Sequence, residues 1–264
     1  EFEVPGSAVR GKALVVFEDL FLGDIKLATH ADIDDEGQTV YYPNVTTKAK
    51  DNETKAGVSR ADGKVTLVDT VSYSGVMTGK KYTVIGTMMD KATGKPVMNG
   101  DKEVTASAEF TPKNMSGTVD VTFTFDGRNL AGKEVVVFET LKYHNREVAY
   151  HQDLKDDGQT IFFPDIWTTA KDSETKIGVS NPDKSVTLVD TVSYEGLRPG
   201  LEYKVTGTLM DKATGNAVQN VTAETTFTPA GIVKSARMSQ LLNALTPICS
   251  SVAGNLIETS ESQS

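Results

Sequence analysis

The sequence predicts an all-β protein, an immunoglobulin-like β-sandwich in tandem repeats. Three observations carry this. A long block recurs at a fixed offset: VVFE at 15–18 and 136–139, VTLVDTVSY at 65–73 and 186–194, and DKATG at 90–94 and 211–215 are each separated by 121 residues. A period that long is a whole domain rather than a solenoid unit. Within the block, short segments rich in Val, Thr, Tyr and Phe alternate apolar with polar residues, the signature of half-buried strands. About seven such strands fit in one unit, as in a sandwich. No segment inside the repeat has helical periodicity.

Residues 1–43 match the end of a unit, 44–164 make one complete unit, and 165–229 match its beginning, with a four-residue deletion near 218–221. In the complete unit the clearest strands are VTLVDTVSY (65–73), KKYTVIGTMMD (80–90), TVDVTFTF (118–125) and KEVVVFETL (133–141). They are punctuated by turns such as Ala61-Asp62-Gly63 and Asp156-Asp157-Gly158, with the run Asp211–Gly215 in the next copy. Residues 230–264 have no counterpart in the repeat. Leu241, Leu242, Leu245 and Ile248 would line one side of a short helix, but Pro247 and the Ser-rich end argue for disorder.

Composition narrows the function. The net charge of −9 argues against nucleic acid and anionic membrane surfaces, both of which attract basic proteins. The single cysteine, Cys249, lies outside the repeat, so neither a disulfide within the chain nor a Cys-based zinc site is available. No apolar run is long enough to span a bilayer. No cofactor or metal is expected, and any covalent staple must use other chemistry.

Five reactive side chains recur with the repeat. Glu18 returns as Glu139, His30 as His151, Gln38 as Gln159, Thr47 as Thr168 and Asp69 as Asp190. Strand phase tells which of them point inward. Asp69 shares a face with Val65, Leu67, Val71 and Tyr73. Glu139 shares one with Val135, Val137 and Leu141, and Gln159 with Ile161 and Phe163. Thr47 is in phase with Val45 and Ala49, whereas Thr46 is in phase with Lys48 and Lys50. The phase of His151 is uninformative.

Buried acids must be paired, hydrogen-bonded or protonated. Two inward acids could share one proton. A protonated acid would polarise the Gln carbonyl, His would take the Thr proton, and the Thr oxygen would attack the Gln carbon, releasing ammonia and leaving an ester. A structural polar cluster is the plainer reading of the same five residues, and phase alone favours it.

The order Thr–Asp–Glu–His–Gln, together with VDTVSY, GTLMDKATG, FTP, VVFE and HxDLxDxGQT, resembles the VaFE-repeat, Thr–Gln ester-bond domains of Gram-positive surface adhesins, over residues from about 10 to 229. The resemblance implies a cell-wall-anchored, extracellular stalk whose partners are neighbouring repeats, with the cell wall and a host or surface ligand engaged through regions outside this chain. It implies an autocatalytic cross-link between Thr47 and Gln159, promoted by Asp69, Glu139 and His151, and no turnover enzyme. Family members often carry two adjacent threonines, which keeps Thr46 as an alternative. Glu18, His30 and Gln38 in the first copy, and Thr168 and Asp190 in the third, are incomplete sets that sum to one complete set.

Rival readings are a hydrolase built on Thr, His and acids, a calcium- or ligand-binding module using the acidic runs HADIDDEGQ and HQDLKDDGQ, and a Lys–Asn isopeptide domain. Inward-facing residues with no nucleophile elbow count against the hydrolase. Spacing unlike an EF-hand, and the change of Asp34 to Lys155, count against calcium. Outward Lys48 and Lys50 count against the isopeptide.

Overall fold

The computed structural model describes residues 2–182 and 185–230, and the backbone of 236–243. It is nearly all β. A short helix, Gly6–Val9, precedes β1 (Lys12–Val15), β2 (Glu18–Leu22), β3 (Ile25–His30) and β4 (Thr39–Tyr42). β5 (Asn44–Asp51), β6 (Val65–Ser74) and β7 (Tyr82–Asp90) follow. Three two-residue strands come next: β8 (Lys95–Pro96), β9 (Met98–Asn99) and β10 (Lys102–Glu103). The unit is completed by β11 (Thr105–Phe110), β12 (Gly117–Phe125), β13 (Glu134–Tyr143), β14 (Arg146–His151) and β15 (Thr160–Phe162). The last part holds β16 (Asp165–Asp172), β17 (Thr187–Glu195), β18 (Tyr203–Met210), β19 (Ala217–Phe227) and β20 (Ala236–Asn243).

The chain divides into two compact units, 1–127 with 134–161, and 128–133 with 162–264. In the first, β11-β7-β13-β14 form one antiparallel sheet, with β15 added to β13 and β8 to β7, and β12-β6-β5 form the other. The alternation that predicted these strands decides their inner faces. Val65, Leu67, Asp69 and Val71 of β6 are buried, while the residues between them are half-exposed. Val121, Phe123 and Phe125 of β12 continue that face, opposite Val84, Met88, Val137 and Leu141 of the other sheet. Gly86 sets how closely the layers approach. A Cβ there would lie 2.4 Å from Phe123 Cζ, so the ring rests on the bare backbone of β7. Tyr73 of β6 and Phe110 of β11 close one end, with ring centroids 4.7 Å apart.

In the second unit β16-β17-β20 form one sheet and β18-β19 another. The registers repeat. Thr168 lies opposite Val192 and Ala170 opposite Asp190, as Thr47 lies opposite Val71 and Ala49 opposite Asp69.

Two differences from the sequence expectation concern short or unrepeated segments. Residues 236–243, expected to be disordered or at most helical, form β20 antiparallel to β17, with Gln240 opposite Asp190, where β12 places Val121 opposite Asp69 in the first unit. An unpaired β17 edge is a stronger constraint than the weak local pattern of that segment. The rest of the tail, including Leu245, Pro247, Ile248 and Cys249, lies outside the described residues. The helix at Gly6–Val9 and the 3-10 turn at Arg128–Leu130 are one feature at the repeat offset, too short to show periodicity.

Candidate functional site

The strand pairings of the first unit bring all five reactive residues to one place. Thr47 enters from β5 with its side chain inward, half-buried, while Thr46 is exposed on the outer face with Lys48 and Lys50. Asp69 lies across from Ala49 on the neighbouring β6. Glu139 comes from β13 in the opposite sheet, with Gly86 on one side and His151 of β14 on the other. The turn before β15 delivers Gln159. Asp156 accepts the Gly158 N–H through Oδ1 at 2.7 Å, and its carbonyl accepts the Thr160 hydroxyl at 2.8 Å. Two main-chain bonds then fix this turn between the sheets. Ala49 N–H donates to the Gly158 carbonyl at 3.1 Å, and Val137 N–H donates to the Gln159 carbonyl at 3.3 Å. Asp69, Glu139 and Gln159 are fully buried.

Glu139 Oε2 is the hub. The Thr47 hydroxyl donates to it at 3.0 Å and the Gln159 side-chain amide donates to it at 2.5 Å. The Gln159 amide also meets the Thr47 hydroxyl directly. Around this triangle, Gln159 Oε1 and His151 Nδ1 are sealed from solvent without a hydrogen-bond partner, and the Asp69 and Glu139 carboxyls interact with each other. A polar cluster present only for stability is expected to satisfy its members, because each buried unsatisfied group costs about 1–3 kcal/mol. Two such atoms beside a buried carboxyl pair are an energetic liability of the kind active sites carry.

Burial acts on both acids. It pushes the Glu139 carboxyl up to about 10, with Asp69 beside it adding in the same direction and the Thr47 and Gln159 groups opposing. Burial raises Asp69 as well, but the Glu139 carboxyl, His151, the Lys48 main chain and Thr47 all favour its ionised form. Burial therefore favours keeping a proton on this close pair, and the larger upward push falls on Glu139.

His151 is half-buried, and its Nε2 lies 3.2 Å from Asp156 Oδ2. The Thr47 hydroxyl donates its hydrogen bond to Glu139 rather than to His151, the partner read from residue types alone. Asp156 is a site residue that sequence reasoning treated only as part of an acidic turn. Its signal was an Asp five residues after the His in both copies, His30 with Asp35 and His151 with Asp156. The acidic runs themselves cap turns: Asp32 and Asp153 accept the main-chain N–H groups of Asp34 and Lys155 at 3.0 and 2.9 Å. Among the described residues no group of three or more His, Cys, Asp or Glu side chains is arranged to hold a metal ion.

The first copy builds the same half-site. Glu18 of β2 lies opposite His30 of β3, Gln38 donates to Glu18 Oε2 at 3.1 Å, and His30 Nε2 lies 3.2 Å from Asp35. The third copy brings Thr168 and Asp190 to the same strand positions as Thr47 and Asp69.

The T-Q ester bond containing domain model matches residues 1–42, 43–163 and 164–246 in succession. The chain belongs to this family. It is a family of cross-link-containing structural modules and not of turnover enzymes. No curated protein matches the chain. Among solved structures, a bacterial adhesin from Mobiluncus mulieris containing intramolecular disulfide, isopeptide and ester bond cross-links is similar in two space groups. One is 16% identical with a TM-score of 0.37, covering 72% of this chain and 99% of the adhesin chain. The other is 15% identical with a TM-score of 0.36, covering 75% and 98%. A putative beta-galactosidase from Bacteroides fragilis is 14% identical with a TM-score of 0.32, covering 43% of this chain and 17% of the galactosidase. These likenesses are weak, and nothing about the site rests on them. No described helix is long and apolar enough to cross a membrane.

Proposed function

We propose that the central repeat is a structural module of a cell-surface adhesin that closes its own ester bond between Thr47 and Gln159. The observation that carries this is the bridging position of Glu139 Oε2, in contact with both the hydroxyl that would attack and the amide nitrogen that would leave. Glu139 Oε2 takes the Thr47 proton as the oxygen attacks Gln159 Cδ, while the proton held by Glu139 moves to Asp69. The Cδ–N bond then breaks, and the proton taken from Thr47 passes from Glu139 Oε2 to the departing nitrogen. One hydroxyl and one amide become one ester and one ammonia, with no water consumed. Burial serves the chemistry twice, by keeping a carboxyl protonated at neutral pH and by excluding the water that would hydrolyse the product. His151, held by Asp156, favours the ionised form in which Asp69 stands ready to receive the proton.

The link joins residues 112 apart, near the two ends of the repeat. By analogy with a disulfide closing a loop of that size, it would add roughly 4–5 kcal/mol through the unfolded state. Pulling on the ends would load the bond rather than the sheets, which suits a tandem stalk outside the cell, attached to a cell wall. The family membership and the repeat support that setting; its surface ligand would be engaged elsewhere in the protein. Peptide mapping of the full chain tests the assignment. A linked pair of peptides containing Thr47 and Gln159, lighter by one ammonia, is expected in the wild type and absent from Thr47→Ala. Unlinked peptides of full mass in the wild type would refute it.

A further inference from the structure

The repeated DKATG turn has no part in the chemistry above, yet in the complete unit it meets the loop that presents Gln159. It joins β7 to β8 and is built from its own residues. Asp90 Oδ1 accepts the Ala92 and Thr93 N–H groups at 3.0 Å, its carbonyl accepts the Gly94 N–H at 2.8 Å, and Gly94 takes a φ of +64°. Asp211 makes the same three bonds to its own turn in the other unit. The Lys91 side chain takes no part in these bonds. It is only 19% exposed, and its ammonium reaches Thr160, the residue after Gln159. Lys91 Nζ donates to Thr160 Oγ1 at 3.2 Å and lies 3.3 Å from Glu134 Oε2 and 3.8 Å from Asp157 Oδ1. Thr160 is fully buried. An ammonium carries donors only, so the Thr160 oxygen accepts from it and turns its own proton to the Asp156 carbonyl, 2.8 Å away. That carbonyl also accepts the Gln159 N–H at 3.3 Å, and the Asp156 carboxylate holds Gly158 and His151. One lysine thus stands behind both the residue that supplies the acyl carbon and the group that holds His151.

We infer that Lys91 is a positioning residue for ester formation: through Thr160 it seats the acceptor loop so that Gln159 Cδ stands within reach of the Thr47 oxygen. This rests on the Thr47–Gln159 reaction proposed above. The internal bonds of the loop recur in the first copy, where the Thr39 hydroxyl donates to the Asp35 carbonyl at 2.7 Å and Asp35 Oδ1 accepts the Gly37 N–H at 2.7 Å. Those bonds are local and set the shape of the loop. Its distance from β5 takes contacts from outside. Ala49 and Val137 supply two through the main chain. Lys91 supplies a third, on the residue next to Gln159. Its polar side-chain contacts are with Thr160, Glu134 and Asp157, none of them a reacting group, so it acts by geometry and transfers no proton. Attack on an amide carbon tolerates little error, and a misplacement of about 1 Å can cost roughly 100-fold in rate. Withdrawing an ammonium from water is costly in a turn that Asp90 already caps, and the Glu134 carboxylate offsets that cost.

The full chain and its Lys91→Met, Thr160→Val and Thr160→Ser variants, with Lys91→Met combined with Thr160→Val, are recovered unlinked in denaturant and refolded by dilution to start the clock. Ammonia release and intact mass follow the bond, and circular dichroism establishes that folding is complete before the rate is read. Lys91→Met and Thr160→Val should each link about 10- to 100-fold more slowly than the wild type. The combined variant should be no slower than the slower single variant, because both changes remove the same hydrogen bond. Thr160→Ser keeps the hydroxyl and should recover most of the rate lost in Thr160→Val. Lost stability alone does not give this pattern, since the rate is read on folded protein. Wild-type rates in both Lys91→Met and Thr160→Val, with the wild type still losing one ammonia, would overturn this inference and leave the central ester standing. Rate losses that multiply in the combined variant would also overturn it, because the two side chains would then act apart. Should Lys91→Met not fold, the two Thr160 variants decide alone, and equal rates for Val and Ser would overturn it. A wild type that never loses ammonia would overturn both this inference and the central ester.

Discussion

Protonation of Glu139 makes the stability of the unlinked fold depend on pH in an unusual direction. The perturbation is Thr47→Ala, which prevents the ester and leaves both acids in place. In the folded protein Glu139 is pushed from 4.5 up to about 10, chiefly by burial. Removing the Thr47 hydroxyl, one of the groups that favour the ionised form, moves it further the same way. The folded state therefore keeps a proton that the unfolded chain has lost. The stability contributed by this carboxyl is complete below about 4.5 and is lost as pH rises, until the folded group itself ionises near 10. Asp69 is also raised and acts in the same sense. One pH unit is worth about 1.4 kcal/mol, so from about pH 5 to about pH 8 the loss approaches about 4 kcal/mol, a large share of an ordinary domain's stability. Urea unfolding of Thr47→Ala at both pH values, beside Thr47→Ala combined with Glu139→Gln, isolates the effect. Gln resembles the protonated acid and does not titrate, so the double variant should lack most of the loss. If both variants change in parallel across this range, Glu139 does not hold the proton and the proposed relay fails.

Other outcomes follow from the same geometry. Thr46→Ala should keep the cross-link and Thr47→Ala should lose it, read by intact mass; the reverse would show that β5 presents the other threonine. Asp156→Asn should slow ester formation by weakening the hold on His151 while leaving the bond able to form over long incubation, read by the time course of ammonia release; a wild-type rate would deny His151 its positioning partner. Gly86→Ala should cost about 1–3 kcal/mol through overpacking against Phe123, read by denaturant midpoint in the Thr47→Ala background; an unchanged midpoint would mean the ring gives way freely.

The sandwich and the inward phase of Thr47 and Asp69 were legible because period-two alternation is unbroken along that part of β5 and β6, whereas Glu139 and Gln159 sit beside runs of consecutively buried residues, Val135–Val137 and 159–163. Asp69 and Glu139 each interrupt an otherwise apolar face, and Thr47 differs from Thr46 only in phase. His151 was illegible for a local reason. The ladder of β13 and β14 shifts register at Leu141 and Lys142, so Val148 is an extra residue and alternation fails along β14. Asp156 was hidden because an Asp in an acidic turn reads as solvated, and only its contact with His151 gives it a second role. The preference of the Thr47 hydroxyl for Glu139 over His151 depends on the spacing of two sheets, which no single strand encodes. β20 could not be read at all, since its place is set by the β17 edge and not by a pattern of its own.

The central claim meets its most direct test in the intact mass of the full chain, purified under dilute conditions and measured after denaturation. The proposed chemistry predicts a monomer lighter than its sequence mass by one ammonia, and a Gln159→Ala variant at its full sequence mass. A wild-type chain at full sequence mass after prolonged incubation at neutral pH would contradict it.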